Sequence, residues 1–352
     1  MKLSLAARVV RVAAVAVTAA VASVSVAAGC SLPAATGAGT LAEGGAGPHD
    51  AGSDASIRDG ASDSSGGSDA KAGQGSDAGS KDAGAHADAG SGADADAGGL
   101  PAHSQKRGIA YGNHSDGDLA ALSPGITWWY NWGPSPDSTL SSGYGDQVGV
   151  EFVPMIWGGT FDTGALANQV PASSKYLLTF NEPNFGDQAN LTPQQAAALW
   201  PQVQAFAQSQ GLAIVSPAVN YCGGNCNQTD PYTWLADFFA ACQGCQVDYV
   251  AVHWYACTPG ALTGYLQKFE TQFKRPLWLT EFSCLDGSLA ATVANEQAYM
   301  KEAIATLEAD PMVFRYAWFT GRDTSADAID LLGGSGALTA LGQQYVSAPP
   351  PK

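Results

Sequence analysis

Two glutamates stand where apolar runs of this chain end: Glu182, within Asn181-Glu182-Pro183-Asn184, and Glu281, within Thr280-Glu281-Phe282. A carboxyl pair facing one cleft can cleave a glycosidic bond. One carboxyl protonates the departing oxygen, and the other attacks the anomeric carbon or activates water opposite it. The ends of other runs supply Asn131 and Trp132, Trp157, Asn220, His253 with Trp254 and Tyr255, and Trp318. Aromatic rings cover the apolar C–H faces of pyranoses, while amides and imidazole bond the hydroxyls. With Asn181 and Asn184, these side chains form the candidate sugar-binding set. Asn181 is the natural partner for a sugar 2-hydroxyl, a contact that tightens in the transition state. One glutamate at a strand end can be purely structural; a pair at two such ends asks for a chemical reading.

Eight apolar, β-branched or aromatic runs must position these groups: 107–111, 126–132, 150–157, 176–182, 213–219, 247–255, 277–282 and 313–320. Several are almost continuously apolar, as strands buried on both faces are. Helical signals separate some of them. Thr192-Pro193-Gln194-Gln195 reads as an N-cap, a first-turn proline and a capping-box glutamine, with apolar residues at helical spacing to Gly211. Pro201 is expected to kink that helix. A second helix is expected over 295–309, stopping before Asp310-Pro311. Eight strands alternating with helices point to an α/β fold, a (β/α)8 barrel made somewhat irregular by short connections. In such barrels the chemistry sits at the C-terminal ends of the strands, where both glutamates fall. An open doubly wound sheet is the alternative, but no Gly-rich phosphate loop follows the first run.

The barrel accounts for 106–348 only. All 9 Trp, 12 Tyr and 12 Phe lie at or beyond Tyr111. Residues 30–105 are Ala, Gly, Ser and Asp, which cannot build a core and read as a disordered, self-repelling linker. Residues 1–29 read as an export signal, with a basic start and a Val/Ala run ending in small residues before Cys30. That ending resembles a lipobox and makes Cys30 the candidate lipidation site. Export to a bacterial cell surface or outer membrane, or plain secretion, is therefore expected. The net charge of −16 without a basic cluster argues against nucleic acid, and against membranes except through the lipid.

The motifs also carry a resemblance. Residues 178–184, Leu-Thr-Phe-Asn-Glu-Pro-Asn, look like the strand-four acid/base motif of the large retaining clan of (β/α)8 glycosidases. Residues 277–282, Leu-Trp-Leu-Thr-Glu-Phe, look like that clan's strand-seven nucleophile segment. With Tyr130-Asn131-Trp132, Val252-His253-Trp254-Tyr255 and Ala317-Trp318-Phe319, residues 107–345 are similar to glycoside hydrolase family 128. The resemblance implies a retaining endo-β-1,3-glucanase with Glu182 as general acid/base and Glu281 as nucleophile. It further implies Tyr255 or His253 donating to Glu281, with Trp132, Trp157, Trp254 and Trp318 lining sugar subsites. The substrate would be a polysaccharide, with no cofactor, and a monomer suffices. Trp128, Trp200, Trp234 and Trp278 are assigned to the core.

Rival chemistries fit less well. Six cysteines remain after Cys30, and Cys222-x3-Cys226 and Cys242-x2-Cys245 resemble zinc half-sites. In an exported chain an even count points to disulfides, most simply Cys222–Cys226, Cys242–Cys245 and Cys257–Cys284, although six cysteines allow 15 pairings. Metal catalysis is disfavoured because the domain has only His114 and His253, with His103 and the dispersed His49 and His86 in the linker. Gly334-Ser335-Gly336 lacks the context of a nucleophilic serine elbow. A surface carbohydrate-binding barrel without catalysis, or a glycosidase for another polysaccharide, remain alternatives. The first is weakened by the presence of both carboxylates.

Overall fold

The computed structural model describes residues 103–350. The export signal, Cys30 and nearly all of the linker lie outside the described residues.

Nine strands are present among them: β1 (Arg107–Ala110), β2 (Trp128–Tyr130), β3 (Glu151–Phe152), β4 (Met155–Ile156), β5 (Tyr176–Asn181), β6 (Ala213–Ala218), β7 (Val250–Trp254), β8 (Leu277–Phe282) and β9 (Val313–Phe319). They correspond to eight staves, because the third run is split by Pro154, whose missing N–H interrupts the ladder. All ladders are parallel, in the orders β3-β2-β1-β9-β8-β7 and β4-β5-β6. Bridges Val215↔Tyr249 and Val219↔Val252 join β6 to the seventh strand. Continuity through Pro154 joins β3 to β4, so the neighbour relations run round all eight staves of a (β/α)8 barrel.

Eight α-helices surround the staves: α1 (Asp116–Leu122), α2 (Tyr144–Gln147), α3 (Thr163–Leu166), α4 (Pro193–Gln210), α5 (Pro231–Ala241), α6 (Pro259–Phe273), α7 (Val293–Ala309) and α8 (Ala340–Ser347). The capping box of α4 forms in both directions: Gln195 N donates to Thr192 Oγ1 and Thr192 N to Gln195 Oε1. Its end is Gly211 at φ 69°, where a side chain would be strained. Pro201 lies inside α4 without ending it. α7 starts two residues earlier than its apolar spacing suggests, because Thr292 caps it by accepting from Asn295 N. The helices after β2 and β3–β4 have only four residues each, which is the irregularity the short connections foreshadow.

The interior is aromatic. Trp128, Trp200, Trp234 and Trp278 are fully buried, as expected. Gly108 of β1 permits this packing: a Cβ there would stand 2.4 Å from the Trp128 indole. At the N-terminal ends of the strands, Arg315 pairs with Glu151 at 2.6 Å. Its guanidinium also lies 4.6 Å from the ring of Tyr176 and 5.0 Å from that of Trp278. This end of the barrel is plugged. The other end holds the candidate site.

Candidate active site

β5, β7 and β8 all lose regular register near their C-terminal ends, at Thr179/Asn181, Val252/His253 and Leu279/Phe282 respectively. Such irregularities re-aim side chains at a barrel rim. Glu182 follows β5 directly. Its N–H donates to Ala218 O of β6, and its φ of 40° is unusual for a side-chain-bearing residue. Backbone held in this region costs energy and tends to mark functional positions. Trp132, at φ 60° beyond β2, is a second case.

Glu182 and Glu281 are brought together with His253 between them. His253 Nδ1 lies 3.0 Å from Glu182 Oε1 and 3.4 Å from Glu281 Oε2. One ligating atom from each of the three residues lies within 4.8 Å of the others. All three residues are buried. Burial by itself would lower the His253 pKa; the Glu281 and Glu182 carboxylates more than offset this and hold it above its ordinary value.

The two carboxyl groups have different surroundings. Glu281 Oε1 accepts from Tyr130 Oη at 2.9 Å and from Trp132 Nε1 at 2.8 Å, and Oε2 accepts from Tyr255 Oη. Burial and the Glu281 charge keep both phenols protonated far above the ordinary tyrosine range, so each presents an O–H donor to the carboxylate. Glu182 has Asn220 Nδ2 at 3.3 Å and the shared imidazole. One carboxyl is thus held as an acceptor by three neutral donors, and its partner is less constrained.

The remaining candidates divide. Tyr255, His253 and Asn220 touch the carboxylates. Trp132 does so as a donor, and Tyr130, which shares its motif but is not among the candidates, joins it. The signal was available: two places apart, Tyr130 and Trp132 share a direction beyond the strand. Asn181 Nδ2 is engaged by Gln188 Oε1 at 3.2 Å, and its buried Oδ1 has no partner. Trp157 is 39% exposed and helps line a cavity of about 450 Å³ with Trp132, Met155, Phe161, Asp162 and Gln169. Trp254 is buried against Tyr265.

Two expectations are corrected, those for Trp318 and Asn184, and Asn131 is engaged within its loop. Trp318 is fully buried, donates to Ile329 O and packs on Phe282, Tyr299 and Tyr345, on the helix side of the sheet. Asn184 is fully buried and spends its amide N–H groups on Asn220 O and Gln228 O. Asn131 bonds Ser135 O, Asp137 and Gly133 N. Burial closes Trp318 and Asn184 off from sugar, while Asn131, half-buried, has its amide engaged by its own loop. Tyr221, 36% exposed beside Asn220, is a further aromatic that the strand-end rule did not reach.

The three disulfides are Cys222–Cys226, Cys242–Cys245 and Cys257–Cys284, the simplest pairing. The last ties the segment after Tyr255 to the segment after Glu281. A cavity of about 430 Å³ beside Cys242–Cys245, Phe239 and Arg275 shares no residue with the carboxylate site.

Comparison with known proteins identifies the family. The glycosyl hydrolase catalytic core family matches residues 108–345. A subgroup II endo-β-1,3-glucanase of family 128 from Sorangium cellulosum is 46% identical, with a TM-score of 0.67; the match covers 70% of this chain and all of that one. A subgroup I endo-β-1,3-glucanase from Amycolatopsis mediterranei, solved in complex with laminaritriose, is 34% identical with a TM-score of 0.56, covering 69% and 99%. Alkali-sensitive linkage protein 1 of Schizosaccharomyces pombe is 29% identical over 254 residues, 69% of this chain; the chain spans about half the length of that relative, 45%. The chain belongs to glycoside hydrolase family 128.

Proposed function

We propose that this family 128 glycoside hydrolase cleaves β-1,3-glucan internally with retention of configuration, Glu182 acting as general acid/base and Glu281 as nucleophile. The observation that carries the reading is the short carboxyl separation combined with unequal surroundings. One oxygen of each carboxyl group lies within 4.8 Å of the other, which supports the retaining arrangement, with carboxyl groups about 5–5.5 Å apart, over the inverting one at about 6.5–9.5 Å. In the first step Glu182 gives its proton to the glycosidic oxygen as the C1–O bond breaks, and Glu281 bonds C1. In the second, Glu182 takes a proton from water, which attacks C1 and frees Glu281. The imidazole of His253, touching both carboxyl groups, fixes their spacing through both steps.

Polymer preference is supported by the two bacterial relatives, both endo-β-1,3-glucanases, and by the groove past Trp132 and Trp157. Laminarin, curdlan, mixed-linkage glucan, cellulose and xylan offered to the full chain provide the test. Endo-cleavage of the β-1,3-linked polymers is expected, falling about 10³-fold in Glu182→Gln and Glu281→Gln. Turnover surviving in Glu281→Gln would refute the assignment, as would anomeric inversion seen by proton NMR. Binding without turnover on every substrate would favour a carbohydrate-binding barrel.

Three disulfides support export, and we infer a monomeric enzyme tethered through lipid on Cys30. The mass of the mature N-terminal peptide tests the lipid, and sedimentation tests the monomer.

A further inference from the structure

Trp132 has two unusual properties at once. Its backbone sits at φ 60°, where bulky residues rarely stay, and its indole donates to Glu281 Oε1 at 2.8 Å. Something must hold it there. Asn131, immediately before it, accepts from Gly133 N at 3.1 Å, bridging across Trp132. The Asn131 amide also donates to Ser135 O at 3.0 Å and to Asp137 Oδ1 at 2.8 Å. The other Asp137 oxygen accepts from His114 N at 2.9 Å and faces His114 Nδ1 at 3.1 Å. His114 is fully buried, wedged between Tyr111 and Trp129 with centroids 4.7 and 4.9 Å away. The chain of contacts therefore runs from the loop after β1, through one carboxylate, to the loop after β2 and onto Glu281. Nothing in the two-carboxylate chemistry requires His114 or Asp137, yet both are well inside the protein.

We propose that Asp137, clasped by His114, is a positioning residue for the Glu281 carboxylate, acting through Asn131 and Trp132. The proposal rests on Glu281 being the nucleophile. Displacing one donor lets the attacking oxygen drift, and misplacement by about 1 Å can cost roughly 10²-fold in rate.

The test is a double-mutant cycle in the full chain on laminarin, with Asp137→Asn, Trp132→Phe and the pair. Asp137→Asn is expected to lower kcat roughly 10- to 100-fold while KM stays close to wild type. The double variant should be no worse than the poorer single one, because both remove the same contact. Losses that multiply, or an unchanged kcat in Asp137→Asn, overturn the proposal. Should Asp137→Asn not fold, Asn131→Ala breaks the same chain one link later. The same kcat loss at constant KM supports the proposal; a raised KM with constant kcat makes Asn131 a sugar contact and overturns it. The indole N–H resonance of Trp132, assigned by its absence in Trp132→Phe, must shift in Asp137→Asn. If it does not, the brace fails whatever Glu281 does. Wild-type turnover in Glu281→Gln would instead remove the nucleophile reading while the resonance still reports on the brace.

Discussion

The two ends of the barrel both bury charge among aromatic residues, and they use those residues in opposite ways. At the N-terminal end Arg315 meets ring faces, those of Tyr176 and Trp278 within 5.0 Å, and one carboxylate, Glu151. The negative face of an aromatic ring suits a cation. At the C-terminal end Glu281 meets ring edges: the O–H of Tyr130, the N–H of Trp132 and the O–H of Tyr255. The polar edges suit an anion. One end is neutralised by its own ion pair and sealed. The other gathers two carboxyl groups around one imidazole and faces a groove. Abundant tryptophan and tyrosine thus mean different things at the two ends, and which atom points inward decides it.

Breaking the comparison at the C-terminal end should give the largest effect. Glu281→Gln, at the proposed nucleophile, is expected to lose about 10³-fold in kcat with a melting curve like that of wild type. The opposite result is expected below. Arg315→Met leaves Glu151 without its partner and should cost about 3 kcal/mol in urea unfolding, while kcat per folded molecule is retained. Adding Glu151→Gln should recover part of that loss.

Glu296 tests whether the C-terminal rim carries a stability cost of its own. It is fully buried in the first turn of α7, accepting from Cys284 N through Oε2, with Oε1 unpartnered. Burial pushes its pKa up to about 7 from an ordinary 4.5. The native state therefore keeps a proton that the unfolded chain releases, and stability falls as pH rises from about 4.5 to 7. Glu296→Gln keeps an acceptor and removes the charge. It should be neutral near pH 4 and stabilising by up to about 3 kcal/mol at pH 8, read from denaturant midpoints at the two values. A flat pH difference would show that the rim stores no such cost.

Smaller effects sharpen the assignment of individual edges. Tyr255→Phe removes one donor to Glu281 and should lower kcat roughly 10-fold, as expected for a hydrogen bond to a charged group. Trp157→Ala should raise KM on laminarin a few-fold, on the order of 1 kcal/mol of lost ring contact, with kcat nearly unchanged.

The eight staves were legible because parallel strands buried on both faces are apolar without interruption. Glu182 and Glu281 were legible because charge stands out at the ends of such runs. Which way the neighbouring residues point was not. Alternation between the two faces predicts orientation only while register is kept, and register shifts at the ends of β5, β7 and β8. Trp318 is at a strand end and yet turns to the helices, whereas the direction of Tyr130 follows from its spacing to Trp132. Asn131 and Asn184 have the composition of sugar ligands, but their bonds go to loop carbonyls and to Asp137, which no local pattern reveals. The disulfides were readable because the shortest spacings left a single pair over.

Pro154 has a bearing on how the barrel moves. The stave it divides contributes two residues to each of its neighbours, against six in β5 and β8, so few ladder bonds resist opening there. Local opening free energy follows such bonds, and backbone amides of 151–156 should exchange with deuterium well before those of 277–282. Because Met155 and Ile156 also line the groove beside Trp157, a bound laminari-oligosaccharide should slow exchange at this seam first, making the division of the third stave a built-in reporter of occupancy.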